Sequence, residues 1–402
     1  MKKMAKWMMK IFRICCIYKR CYSVLFILSG ALTLFYLDQT FTFMPNNYIG
    51  DKFSNVEWPY IEIYDNLIVI NKTRKKILIW TPFFKSMYWE SAIKEQMFFC
   101  DNLCEVTSDR TQIKSSDAVL FHHGDLIKSD LPLRFLHQPW VLFTLEPTTL
   151  IQGNVRWWGK IFNWTMSYRR YSTIFNPYGY AVNKSTVEIS NNEAEFSFKN
   201  RTQDMFAVIS RCHDDARRYK IIEEFKPHFK VDIFGRCGKL QCNTQSGDNC
   251  RSPEEIHRYK FKLAFENGNC RDYITEKYWG SLLQDVVPIV NWKKHQCNEN
   301  VIPNSYINVY DHTTIASAIQ YIKLVSNNET LYNYYHQWKQ TQTATSSIFS
   351  GFCKLCEKLN QPFQAQVYKD LDKWFKDDIC NKYNLFDGVY RHVDRFLFHT
   401  LH

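Results

Sequence analysis

The 402-residue chain is rich in aromatic residues (16%) and sparse in glycine (13) and proline (12), a globular composition rather than a fibrous or disordered one. Its length suits two to three domains. The net charge of +11 would suit a nucleic-acid binder, but seven of those charges fall within residues 1–20, which hold no acid, and the rest of the chain carries only +4. A basic stripe for a phosphate backbone is not indicated, and no nucleic-acid partner is expected.

Residues 1–20 read as a cytosolic tail. The run CYSVLFILSGALTLFYL, residues 21–37, has seventeen positions without a charge, at the short end of what crosses a bilayer. A cleaved signal peptide would have a shorter apolar run followed by a small-x-small site. Here Phe35, Tyr36 and Leu37 close the run, so a retained signal anchor is expected. Positive charge before it keeps the N-terminus cytosolic. The chain then reads as a single-pass type II membrane protein with everything beyond residue 37 lumenal, and the short span suits the thinner early secretory membranes. Residues 38–75 lack periodicity and read as a stem.

Eleven cysteines lie beyond the apolar run. An oxidising lumen favours disulfides; a four-thiolate zinc site made of Cys100, Cys104, Cys353 and Cys356 is the rival reading. Sequons at Asn71, Asn163, Asn183, Asn200 and Asn328 fit lumenal exposure.

Short apolar, β-branched runs then recur: KILIW (76–80), DAVLFHH (117–123), PWVLFTLE (139–146), MFAVISR (205–211), VDIFG (231–235), KFKLAFEN (260–267) and VVPIV (286–290). Stretches of helical spacing, such as Ala216–Phe225 and Tyr273–Leu283, separate some of them. Strands alternating with helices predict an α/β fold with parallel sheets covered on both faces. The polar stretch 183–204 divides two sets of strands. One domain is expected over 76–190, a second over 205–350, and a closing segment over 351–402. Ligands in such sheets bind beyond the carboxyl ends of the strands.

Residues 261–290 read as one βαβ unit. Its strand ends near Glu266, Gly268 allows a tight turn, and Asp272 is a competent N-cap for a helix. Ile274, Tyr278 and Leu282 share the face that packs on the sheet. Glu276 and Lys277 point elsewhere, one turn in from a helix N-terminus that attracts anions. The pattern suits a nucleoside diphosphate, ribose on Glu276 and phosphate on Lys277; an exposed surface ion pair is the plainer alternative. Adjacent strand residues point to opposite faces, so His122 and His123 are not expected to reach the same ligand.

The segment YKFKLAFENGNCRDYITEKYW (259–279) resembles the signature of the α-1,3-fucosyltransferases. ILIWTPF (77–83), DAVLFHH, FTLEP (143–147), FNWTMSYRRYSTIFNPYG (162–179) and Cys353-Lys-Leu-Cys356 follow the family order, so the resemblance covers roughly residues 75–380. It implies a GT-B fold: two Rossmann-like domains facing across a cleft, the first binding an acceptor glycan of a glycoprotein and the second GDP-fucose. It implies Golgi residence and an inverting transfer of L-fucose to an N-acetylglucosamine hydroxyl in α-1,3 linkage, with no cofactor required, no metal site, and a divalent metal at most stimulatory. By motif position Glu146 is the general base. Arg218, with Arg217 as its competitor, holds phosphate, and Ser210, Tyr168, Tyr273, Glu276 and Lys277 complete the donor site. Of His122 and His123, at a strand end facing the cleft, one is read as an acceptor contact and the other as packing. The same resemblance joins Cys100 and Cys104 to Cys353 and Cys356. This chain departs from the family at Arg211, where Asn is usual, at Tyr171 and Thr173, where Asp is usual, and at Gly124. Those departures leave open a different acceptor, such as a peptide or an atypical glycan, or a glycan-binding relative without catalysis.

Overall fold

A computed structural model of the chain describes residues 74–376, except 99, 101–103, 152–157, 159, 186–197, 213, 215, 241, 243–251, 294–300 and 363–366. The expected anchor, the stem and Asn71 lie outside these residues. Among the described residues no helix is long and apolar enough to cross a membrane. All of them belong to one compact unit of the chain.

Two parallel sheets organise this α/β fold. The first contains β1 (Lys76–Ile79), β2 (Glu105–Thr107), β3 (Ala118–His122), β4 (Trp140–Thr144), β5 (Trp164–Ser167) and β6 (Ile174–Phe175), in the order β2-β1-β3-β4-β5-β6. After β7 (Gly179–Asn183) comes the second, built from β8 (Gln203–Val208), β9 (Val231–Phe234), β10 (Tyr259–Leu263), β11 (Val287–Val290) and β12 (Ile307–Asn308), in the order β12-β11-β10-β8-β9. Each sheet therefore steps outward in one direction from its first strand and then reverses. Such a reversal opens a crevice at the carboxyl ends of the two strands flanking it: β1 and β3 in the first sheet, β8 and β10 in the second.

The central strands are apolar on both faces because helices cover both. Ile77, Ile79, Leu120, Val141 and Phe143 are fully buried, as are Met205, Ala207, Phe261 and Ile289. Helix α1 (Trp89–Met97) packs on the first sheet; α2 (Arg218–Phe225) and α4 (Ile315–Ser326) pack on the second. Helix α3 (Glu276–Leu283) lies between β10 and β11, yet its Tyr278, Trp279 and Leu282 share a core with the first sheet. Gly179, at the start of β7, has no room for a side chain: a Cβ there would lie 2.4 Å from the Trp279 ring and 2.3 Å from the Thr345 carbonyl oxygen. That oxygen belongs to β13 (Gln342–Ser346), which pairs antiparallel with β7.

The closing segment returns to the first sheet. Helix α5 (Phe352–Leu359) buries Phe352, Leu355, Cys356 and Leu359 against the first-sheet core. Disulfides join Cys100 to Cys353 and Cys104 to Cys356, so these four thiols are bonded in pairs. A third disulfide, Cys212–Cys237, ties the segment after β8 to the segment after β9.

Asn163 is a sequon that cannot carry a glycan in the folded chain. It is 5% exposed, and its Oδ1 accepts from the Trp140 backbone N–H and from Arg134. Asn183, Asn200 and Asn328 are exposed. Asn328 also caps a short helix by accepting from the Leu331 N–H at 3.0 Å.

Candidate functional site

Glu146 follows β4, half-buried, between Leu145 and Pro147. Both neighbours are packed against other segments. The Tyr178 hydroxyl donates to the Leu145 carbonyl at 2.6 Å, and a Cβ on Gly268 would stand 3.3 Å from the Pro147 ring. Gly268 belongs to the loop after β10, so a small residue there lets that loop close on the strand end carrying Glu146. Burial pushes the Glu146 carboxyl above the usual range; the charges of Arg211 and Lys277 oppose the rise, and Glu276 adds to it. The charges of two cations and a carboxylate from the second sheet's segments thus reach a carboxylate at the end of a first-sheet strand.

The loop 267–275 is braced from the first sheet. The Arg170 N–H donates to Asp272 Oδ2 at 3.1 Å, and the Tyr168 and Tyr273 rings meet edge to face at 5.0 Å. Tyr273 also meets Tyr178, at 6.1 Å. Tyr168 and Tyr273 are 2% and 3% exposed. Both were expected at the donor; their rings are buried where the end of β5 meets the loop after β10. Asp272 is not the N-cap. Its φ is +60° and its carboxylate serves Arg170, so the helix starts later. Thr275 caps it instead, accepting from the Lys277 N–H. Glu276 and Lys277 are consequently the first two residues of α3, at the helix N-terminus itself.

The Lys277 ammonium contacts Thr275 Oγ1 at 2.9 Å, Glu276 Oε1 at 2.9 Å and Glu266 Oε2 at 3.4 Å. Burial alone would raise the Glu276 pKa, but Lys277 outweighs it and holds the carboxyl below its ordinary value. Glu266, which sequence reasoning treated only as a strand end, is fully buried at the centre of this group.

Ser210 and Arg211 are exposed at the carboxyl end of β8, on the other side of the crevice from Glu266. Arg218 opens α2 but is 4% exposed. Its Nε meets Asp214 at 2.8 Å, Nη1 donates to the Phe265 carbonyl and Nη2 to the Arg211 carbonyl. It was expected as the phosphate arginine; the structure has it neutralised by Asp214 and anchoring the segment that presents Ser210 and Arg211. Arg217 precedes it, half-buried, with φ +52°. A cavity of about 720 Å³ adjoins Arg218, lined among others by Tyr219, Asp232, Arg236, Lys239 and the Cys212–Cys237 disulfide.

The histidine pair differs from the alternating pattern. The strand ends at His122, and His123 begins a tight turn, so the two rings meet at 5.1 Å on one side. His122 is fully buried between Phe83 and Phe84, and its Nδ1 pairs with Asp125 at 2.6 Å. Asp125 in turn accepts from the Phe84 and Lys85 N–H groups, whose φ values are +49° and +67°. His122 therefore supports the 83–88 loop, and its Nε2 and His123 Nδ1 have no hydrogen-bond partner among the described residues. Burial pushes the His123 pKa down to about 3.

Residues 198–374 match the family described as glycosyltransferase family 10 (fucosyltransferase) C-term, and residues 72–179 match fucosyltransferase, N-terminal. The chain is 34% identical over 297 residues to alpha-(1,3)-fucosyltransferase fut-6 of Caenorhabditis elegans, covering 70% of this chain and 74% of that one. It is 35% identical over 282 residues to alpha-(1,3)-fucosyltransferase 7 of Rattus norvegicus, covering 68% and 72%. A crystal structure of an α1,3-fucosyltransferase with GDP-fucose aligns with a TM-score of 0.48 at 15% identity, over 76% of this chain and 96% of that one.

Proposed function

The chain belongs to glycosyltransferase family 10 and is a fucosyltransferase, and we propose that it moves L-fucose from GDP-β-L-fucose to an N-acetylglucosamine hydroxyl of a glycoprotein glycan in α-1,3 linkage. The observation that carries this reading is the close approach of the loop after β10 to Pro147, next to Glu146, in a chain whose Glu276 and Lys277 open the following helix; the charges of Arg211, Lys277 and Glu276 act on the Glu146 carboxyl. In this reading the two sheets are the halves of a GT-B fold, acceptor half over 76–190 and donor half over 205–350. The N-terminal apolar run anchors them in the Golgi membrane, with the catalytic part lumenal.

Glu146 takes the proton from the acceptor hydroxyl. The oxygen attacks the anomeric carbon from the face opposite the diphosphate, the carbon–oxygen bond to phosphate breaks, and GDP leaves with the electron pair. Inversion turns the β-linked donor into an α-linked product. Lys277 and the N–H groups that open α3 stabilise the charge gathering on GDP, and Arg211 adds a cation at the mouth. Glu276, freed from Lys277, accepts from the ribose hydroxyls. The cavity beside Arg218 is the space assigned to the nucleobase, and His122 and Asp125 set the loop 83–88 at the acceptor side.

The test incubates a secreted form with GDP-fucose and an array of glycans bearing N-acetylglucosamine. The expected result is GDP release matched by fucose incorporation, with an α-1,3 linkage by NMR. Fucose appearing only on a peptide, or in another linkage, would replace the acceptor proposed; binding of glycans without any GDP release would refute transfer.

A further inference from the structure

Glu266 has no part in the reaction above, yet it is the most enclosed charged group near the crevice. Its backbone is clamped on both sides by one side chain: Asn291 Oδ1 accepts from the Glu266 N–H at 2.8 Å, and Asn291 Nδ2 donates to the Glu266 carbonyl at 3.3 Å. Its carboxylate accepts from the Thr275 N–H at 2.8 Å and from the Thr275 hydroxyl at 2.8 and 2.9 Å. The same hydroxyl accepts from the Lys277 ammonium, which also lies 3.4 Å from Glu266 Oε2.

A buried carboxylate is costly unless it is paired and hydrogen-bonded, and an apolar side chain would fill this space at less cost. What the acid does that a hydrocarbon cannot is hold Thr275, the cap of α3, and through it the Lys277 head. A lysine is a compact charge on a flexible stem, and a ligand that finds it already ordered does not bear the cost of ordering it. We propose that Glu266 is a positioning residue for the leaving diphosphate: with Thr275 it fixes Lys277, and the Lys277–Glu276 contact is the one exchanged when the donor binds. This rests on the donor-site reading above.

The experiment titrates GDP calorimetrically, and guanosine by competition, on the wild type, Glu266→Gln, Lys277→Ala and the double variant. Glu266→Gln should weaken GDP about tenfold, the size of one charge-assisted contact, and leave guanosine unchanged. The double variant should bind GDP no more weakly than Lys277→Ala alone, because the effect passes through the lysine. Unchanged or tighter GDP binding in Glu266→Gln, or losses that multiply in the double variant, overturn the proposal. If Glu266→Gln does not fold, Thr275→Val and Thr275→Ser decide: valine should reproduce the GDP-selective loss and serine should restore binding, whereas equal losses for GDP and guanosine mean a cap and nothing more. A wild type that binds no GDP sinks the donor-site reading, and this inference with it.

Discussion

The two disulfides that tie α5 to the segment after α1 should not contribute additively. Cys100–Cys353 spans 253 residues and Cys104–Cys356 spans 252, so they close nearly the same loop. In the chain-entropy description a first crosslink of that span restrains the unfolded chain by about 5.5 kcal/mol. Once it exists, the second closes a ring of only about nine residues and adds about 2.5 kcal/mol. Removing either bridge with a pair of alanines should therefore cost about 2–3 kcal/mol, while removing both should cost about 8 kcal/mol. Urea unfolding of the two paired variants and the fourfold variant, at matched temperature, measures this. A fourfold loss equal to the sum of the two paired losses would refute the reasoning, and would mean that each bridge acts through local packing around Cys100 and Cys356.

Further expectations follow from the site and the core. Arg211→Ala should shift the acid limb of the transfer rate to higher pH, because Arg211 opposes the rise of the Glu146 pKa that burial causes and the base works only when ionised; a limb unmoved would place Arg211 away from Glu146. Stability should fall as pH drops from about 6.5 toward 3, by about 1.4 kcal/mol per unit for each of two histidines. His123 and His336 are held near 3 by burial, so the unfolded chain takes up protons that the folded one refuses; denaturant midpoints at stepped pH test the slope, and His336→Phe should remove part of it. Asn163 should be found without glycan in peptide maps of the secreted protein. Asn163→Ala should destabilise by about 1–3 kcal/mol, because the buried Trp140 N–H loses its acceptor.

The longer buried strands were legible because apolar, β-branched runs such as AVLFH and WVLFT have few other uses. What escaped were β2 and β5, which no apolar run marked, β6 and β12, of two residues each, and the β7–β13 pair, whose residues are mostly half-exposed or exposed and carry no apolar run. Helix α3 was read from its apolar spacing, which extends back to Ile274, but its start depends on tertiary contacts. Arg170 takes the Asp272 carboxylate and leaves the cap to Thr275. Glu266 was missed for a related reason: its partners lie nine and eleven residues ahead, at no helical or strand period, and only the folded loop brings them together. The EN pair ending an apolar strand was the available signal, since an acid there must be exposed or paired. Arg218 was identified by motif, but its neutralisation by Asp214 is visible only in three dimensions. The histidines defeated the alternation rule because the strand stops between them.

The central claim is that the half-buried carboxylate just after β4 is the base of a fucosyl transfer, and Glu146→Gln tests it most directly. Glutamine keeps the shape and can still accept a hydrogen bond from the acceptor, but it cannot take the proton. Transfer from GDP-fucose to a responsive glycan should fall by about 10²–10⁴, or roughly 3–5 kcal/mol of barrier, with the Kd for GDP and the Tm close to wild type. A Glu146→Gln protein that transfers fucose at the normal rate would contradict the account.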